Sequence, residues 1–315
     1  MTIIMDKLFK GKTMTKKLLP YLEATFAVVV WGGTFIATKI ALTEVSPATI
    51  VWLRFAMGVV ILGIAVFSRK QFALPEKNEW LYLALLGFLG VTFHQWLQAT
   101  GLQTAKATTT AWIVATTPVF IAILGWLGLK EKLNWVQVSG IAVAAFGVLL
   151  IVSKGNFSSF FTGGEGTFGD LLIFISALNW AVYTILSRRE LARHPAARMM
   201  FYVMLLGWLF TNIWIFGFGP GLSEIGHLTA RGWGAILVLG IFGSGLAYIA
   251  FYDALQALPA SQLGAFLNIE PLVTAMLAAV MIGERITVVS LAGGAIIIFG
   301  VWLVNRKVPS LKVES

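Results

Sequence analysis

The sequence predicts an all-α integral membrane protein: ten transmembrane helices arranged as two inverted five-helix repeats. Three observations carry this. First, the 315 residues are 58% hydrophobic and 12% charged, with mean hydropathy +0.85, which lies outside the range of soluble domains. Second, a bilayer core of about 30 Å takes roughly 20 apolar residues in a helix, and apolar runs of that length follow one another along the chain. They are continuously apolar, not alternating, which favours helices over a barrel. Third, the chain repeats itself. A shift of 153 places Trp80 on Trp233, Gly87 on Gly240, Gly90 on Gly243, Leu102-Gln103 on Leu255-Gln256, Pro118 on Pro271, Glu131 on Glu284, Gly140 on Gly293 and Gly147 on Gly300.

Residues 1–18 form a basic tail with Lys7, Lys10, Lys12, Lys16 and Lys17. The expected spans are 19–41, 47–67, 79–100, 107–129, 134–152, 168–189, 196–217, 231–254, 260–283 and 287–304. The first is too long for a signal-peptide core and lacks a small-x-small cleavage site at its end. Turn chemistry separates the spans at Ser46-Pro47, Leu74-Pro75, His194-Pro195 and Gly219-Pro220-Gly221. The first repeat covers 19–152 and the second 168–305, joined by a Gly/Ser-rich linker at 153–167, with a short tail at 306–315. Near the start of each repeat the shift is slightly smaller, placing Trp31 on Trp180, Lys39 on Arg188 and Pro47-Ala48 on Pro195-Ala196.

Five spans is an odd number, so the second copy enters from the opposite face and the halves are inverted. Secondary transporters are often built this way, with a substrate site at the midplane between the halves. The basic residues set the expected orientation. With the N-terminus inside, that side holds the five tail lysines, Arg69, Lys70, Lys77, Lys130, Lys132, Arg188, Arg189, Arg193, Arg198, Arg306, Lys307 and Lys312. The other side holds Lys106, Lys154, Arg231 and Arg285, while Lys39 and Arg54 lie within spans. Seventeen against four predicts a multi-pass protein of the cytoplasmic membrane with both termini cytoplasmic. The net charge of +9 is assigned to this bias, not to nucleic-acid binding. There is no cysteine, which excludes disulfides and thiolate metal sites.

Polar residues at spanning depth are the candidates for a substrate pathway. Glu270 stands before Pro271, about ten residues into its span, where a charge is costly and should be protonated, paired or facing a wet cavity. Pro271 and Pro118 have no N–H, so the carbonyls of Leu267 and Val114 lose their usual helical partners. His94 is mid-span, suited to a proton or a substrate hydrogen bond, or to a satisfied place in the core. Gln95 aligns with Tyr248; Gln98 and Tyr252 share their respective faces, and Asn268 neighbours Glu270. Trp31 and Trp180 correspond, as cavity walls or as packing. Arg54 is expected to pair with carbonyls or an acid, Asp253 to be solvated, and Lys39 and Arg188 to reach opposite membrane faces. No spacing of His, Asp and Glu suggests a metal, and no cofactor is expected. Gly164 to Gly169 fits G-x-G-x-x-G, but no strand precedes it. Gly243-Ser244-Gly245 lacks the full nucleophile elbow.

Trp31-Gly32-Gly33-Thr34-Phe35, with Pro118 before Glu131 and Glu270-Pro271 before Gly283-Glu284-Arg285, resembles EamA-type members of the drug/metabolite transporter superfamily. The resemblance covers roughly residues 19–305 and departs at Leu178-Asn179-Trp180-Ala181, where a Trp-Gly opening would stand. It implies a secondary transporter that exports small amphipathic metabolites such as amino acids. Alternating access is expected, one five-span half rocking against the other. The expected partners are a small-molecule substrate, the lipid bilayer and protons as a candidate coupling ion, with no nucleic acid. A multidrug exporter, a lipid-translocating flippase and a non-transporting scaffold are the alternatives. No ATP-binding motif occurs, so gradients would supply the energy.

Overall fold

The computed structural model describes residues 2–129, 133–156, 168–258 and 266–306. Its helices, in order, are α1 (Thr2–Ala41), α2 (Pro47–Ser68), α3 (Trp80–Gly101), α4 (Ala107–Val114 and Thr117–Leu129) and α5 (Trp135–Val152). The second set is α6 (Phe168–Leu191), α7 (Ala196–Gly217), α8 (Ala230–Leu237, Val238–Leu246 and Ala247–Ala257), α9 (Glu270–Met281) and α10 (Val288–Asn305). Among the described residues nine helices are long and apolar enough to cross a membrane. The shorter α9 is the end of the ninth expected span, whose start, together with Glu131 and most of the linker, lies outside the described residues. Local chemistry sets the helix starts. Pro47 opens α2; Asn134 and Gln137 form a reciprocal cap on α5; Thr229 and Thr287 cap α8 and α10.

The inversion is visible in one seam. A Cβ on Gly140 would lie 2.7 Å from the carbonyl oxygen of Gly300, and one on Gly147 would lie 2.8 Å from that of Gly293. The repeat equates Gly140 with Gly293 and Gly147 with Gly300. Each glycine therefore meets the equivalent of the other, the signature of a two-fold relation. Climbing α5 means descending α10, so the two helices are antiparallel and the halves are inverted. Only glycine allows backbones this close.

Contacts between the halves dominate the rest. α1 packs on α8 and α9; its counterpart α6 packs on α3 and α4. α2 packs on α7 and α8, and α7 on α3. Trp31 Nε1 of α1 donates to Gly243 O of α8 at 3.1 Å, and Asn179 Nδ2 of α6 donates to Leu89 O of α3 at 2.8 Å. The packing units are thus two mixed bundles, α1/α2/α8/α9 and α3/α4/α6/α7, which the two-fold relation exchanges. They are joined along α2–α7, with the α5–α10 seam alongside. This corrects the expectation that one sequence half rocks against the other. Neither half is a separate body, because the first helix of each half finds its main partners in the other.

Two departures from regular helix fall at equivalent places. Phe88–Phe93 in α3 and Val238–Leu246 in α8 are π-helical, around the paired glycines Gly90 and Gly243. Turns interrupt the chain at residues 115–116 and 268–269, which the shift of 153 superimposes. Glu270 therefore opens a helix instead of sitting ten residues inside one. Irregular backbone of this kind is tolerated at membrane depth only where protein or a wet cavity surrounds it.

Candidate functional site

A cavity of about 470 Å³ lies between the two mixed bundles. From one bundle come Trp31, Thr34 and Phe35 of α1, Arg54 of α2, Tyr248 and Tyr252 of α8, and Asn268, Glu270 and Pro271 at the α9 break. The other contributes His94, Gln95 and Gln98 of α3, Pro118 of α4, and Trp180 and Tyr183 of α6. All eleven residues singled out from the sequence stand on this one wall, because each is polar, aromatic or helix-breaking inside an otherwise apolar span.

Aromatic rings make most of the wall. Trp31 meets Tyr248 edge-on at 5.4 Å between centroids and Phe251 at 4.8 Å; Tyr248 and Tyr252 stack at 6.3 Å. Opposite them, Trp180 lies 4.7 Å from His94 and 4.8 Å from Tyr183. His94 Nδ1 is 3.2 Å from Ser176 O. A carbonyl can only accept, so Nδ1 carries the proton and Nε2 is left as an acceptor.

Several expectations need correction. Arg54 pairs with neither carbonyl nor acid. Its Nε donates to Ser244 Oγ at 3.0 Å and its Nη1 to Gln95 Oε1 at 2.9 Å, so Ser244 serves as an acceptor for a buried guanidinium. Neither partner is charged, and among the described residues no carboxylate lies within 4.0 Å of Arg54. The carbonyl of Val114 is not left open, because Thr117 Oγ1 donates to it at 2.7 Å. Asp253 is held by Arg69 through two bonds of 2.7 and 2.6 Å. Arg188 lies at the cavity mouth. Thr34 and Tyr183 were not singled out from the sequence, and Arg54 was read there as a paired charge and not as part of the pathway. The available signal was that Thr34 and Tyr183 follow the matched tryptophans by the same three residues.

The cavity is one-sided. The face with both chain ends is here the terminal face and the other the distal face. Exposed Arg188 and Ala192 line the cavity where α6 reaches the terminal face, and Leu191 and Leu255 stand beside them. Toward the distal face, three carboxylates each accept from a helix start in the other half; Glu44 ties helices of one bundle, and Glu284 ties α9 of one bundle to α4 of the other. Glu44 accepts from Thr229 N and Thr229 Oγ1, both at 2.8 Å. Glu224 accepts from Ser46 N at 2.8 Å and Thr49 Oγ1 at 2.6 Å. Glu284 accepts from Ala107 N and Thr108 N, both at 3.1 Å, and from Thr108 Oγ1. Negative charge at a helix N-terminus satisfies open N–H groups and the helix dipole together.

On the terminal face, buried Glu79 meets His194 Nε2 at 2.7 Å, and Glu190 Oε2 lies 3.4 Å from the same nitrogen. These three ligand-type atoms lie within 4.8 Å of one another, a grouping the sequence hid by spreading it over 115 residues. Arg198 bonds the other ring nitrogen of His194, and Arg193 stands 3.9 Å from Glu79. The N–H of Glu76 outweighs burial and, with His194, holds the Glu79 carboxyl below its ordinary range.

The chain matches the EamA-like transporter family twice, over residues 18–153 and 167–306. It is 30% identical over 287 residues to an uncharacterized transporter of Archaeoglobus fulgidus, covering 91% of this chain and 97% of that one. It is 27% identical over 290 residues to a probable terminal-alkyne amino-acid exporter of Streptantibioticus cattleyicolor, covering 91% and 94%. One solved crystal structure superposes with a TM-score of 0.65 at 18% identity, over 90% of this chain and 97% of the other, so the fold is shared.

Proposed function

The chain belongs to the EamA-like transporter family, and from that premise we propose that it exports small amphipathic metabolites, amino acids foremost, across the cytoplasmic membrane. The observation that carries the reading is the cavity: about 470 Å³, aromatic-walled, with a few convergent polar groups and open toward one face. That shape suits a small molecule with an apolar body and a polar end. A relative's name as an amino-acid exporter points the same way. The charge bias favours cytoplasmic termini, and on that reading the cavity faces the cytoplasm and is loaded from there.

The proposed mechanism is alternating access between the two mixed bundles. They tilt about the α2–α7 contact and the α5–α10 seam, releasing the tie of Glu284 to the start of α4 as the terminal side closes. Glu270 is the one carboxylate on the described cavity wall, and protons are the candidate coupling ion. The test is counterflow of labelled amino acids in proteoliposomes, with and without an imposed pH step, for wild type and Glu270→Gln. Export predicts saturable exchange by wild type. Proton coupling predicts that Glu270→Gln loses its response to the pH step. Absence of exchange for amino acids, beside protection of expressing cells against apolar cations, would favour the multidrug reading. The aromatic wall and its lone carboxylate are what support that second reading.

A further inference from the structure

Two charged side chains share the cavity without meeting. Arg54 is 5% exposed and is fixed from both bundles, by Ser244 of α8 and Gln95 of α3. Those two bonds occupy Nε and one Nη1 proton of a group with five donors. Nη2 makes no hydrogen bond among the described residues. Glu270 opens α9 across the cavity wall, and its carboxyl has no hydrogen-bond or ion-pair partner among the described residues. Arg54 is buried and Glu270 half-buried, both line the same cavity, and a charge so placed without an opposite charge is expensive to maintain.

From this we propose that Arg54 and Glu270 are the two ends of a zwitterion clamp, Arg54 taking the carboxylate and Glu270 the ammonium of an amino acid. A guanidinium held in a fixed plane by neutral acceptors, on the cavity wall and with donors left over, is preorganised for a carboxylate. The ammonium end meets Glu270, in a cavity that Trp31 and Phe251 also line, and aromatic faces attract a cation. The apolar side chain takes the aromatic wall. Only a ligand carrying both charges compensates both residues, so the bound cavity has no uncompensated charge from this pair. Simple amines and simple acids each leave one end unpaired, and uncharged lipids leave both. The clamp rests on the reading of this cavity as the substrate pathway.

The test is equilibrium binding by calorimetry to the purified full-length protein with three probes: L-leucine, 3-methylbutylamine (no carboxylate) and N-acetyl-L-leucine (no ammonium). Wild type is expected to prefer leucine over either by about 10- to 100-fold, the worth of a charged hydrogen-bond pair. Arg54→Gln should collapse the leucine/amine ratio toward one and keep the preference over the N-acetyl compound. Glu270→Gln should do the reverse. Arg54→Lys should retain a leucine/amine preference, which separates lost charge from lost folding. Equal binding of all three by wild type, or variants that weaken all three alike, would overturn the clamp and leave metabolite export standing. Failure of wild type to bind any of the three would overturn both.

Discussion

The two membrane faces hold their helices together by different means. On the distal face, Glu44, Glu224 and Glu284 each reach from a loop of one half to the first N–H groups of a helix in the other. On the terminal face the ties are side chain to side chain, Arg69 with Asp253 and Glu79 with His194, set around a mouth that stays open. A carboxylate on a helix start gains several donors and a dipole at once. The part-exposed Arg69–Asp253 pair spends side-chain freedom for a screened attraction, while Glu79–His194 is largely buried.

The comparison breaks most completely if the frame under both faces is loosened. Gly147→Leu forces a side chain against Gly293 and Ile297 in the α5–α10 seam. Overpacking of this sort costs about 1–3 kcal/mol or more. The midpoint of thermal unfolding should fall, and cysteines placed at either face should label faster. Labelling changes at one face alone would show that the seam is not shared. Next in size is Glu284→Ala, which strips the partner from Ala107 N, Thr108 N and Thr108 Oγ1. A charged acceptor is worth about 1.5–3 kcal/mol, so Thr110→Cys, fully buried behind that tie, should label about 10- to 100-fold faster. The chain has no cysteine of its own to confuse the reading. An unchanged rate would mean that the carboxylate does not latch the face.

Acid should act on the same face more gently. The N–H and hydroxyl of Thr229 hold Glu44 below the usual carboxylate range. At Glu224 burial pushes upward, but Thr49 and Ser46 together outweigh it and hold the group low. A depressed value in the tied state means the ties are complete above the ordinary carboxylate range and fail as pH falls through the lower value. Distal labelling, divided by that of a fully exposed cysteine to remove the thiolate fraction, should therefore be flat from about pH 8 to 5 and rise below about pH 4. A rise confined to the terminal face would reverse the assignment. The smallest effect belongs to Asp253→Asn. Its pair with Arg69 is about a third exposed, so its loss should move labelling at the cavity mouth by a few-fold at most, about 0–1 kcal/mol. A larger change would make this pair a gate instead of a rim contact.

Hydropathy and self-similarity made the ten spans, the inversion and the wall of the cavity legible, because polar groups inside apolar spans announce themselves. What hydropathy does not encode is partnership. Trp31 and Trp180 were visible as equivalents, yet that each anchors a bundle with helices of the other half was not. The π segments arise from one extra residue's worth of helix around Gly90 and Gly243, and glycine alone does not predict that. Arg54 reads in sequence as a buried charge needing a partner; that its partners are Ser244 and Gln95 depends on packing across 190 and 41 positions. The distal ties join loops to helix starts 175 or more residues away, so no local pattern marks them.

The crossed partnership of α1 also governs how the chain is made. The hydroxyl of Thr274 donates to Gly32 O at 2.9 Å across 242 positions, and Trp31 waits 212 positions for Gly243. At about 5–20 residues per second of synthesis, α1 sits in lipid for roughly 10–40 s before α8 leaves the ribosome. Its partners do not yet exist, so the first repeat cannot assemble as it emerges. A nascent chain stopped at the linker is a set of loose helices, and the native arrangement is a late event of the nearly finished polypeptide.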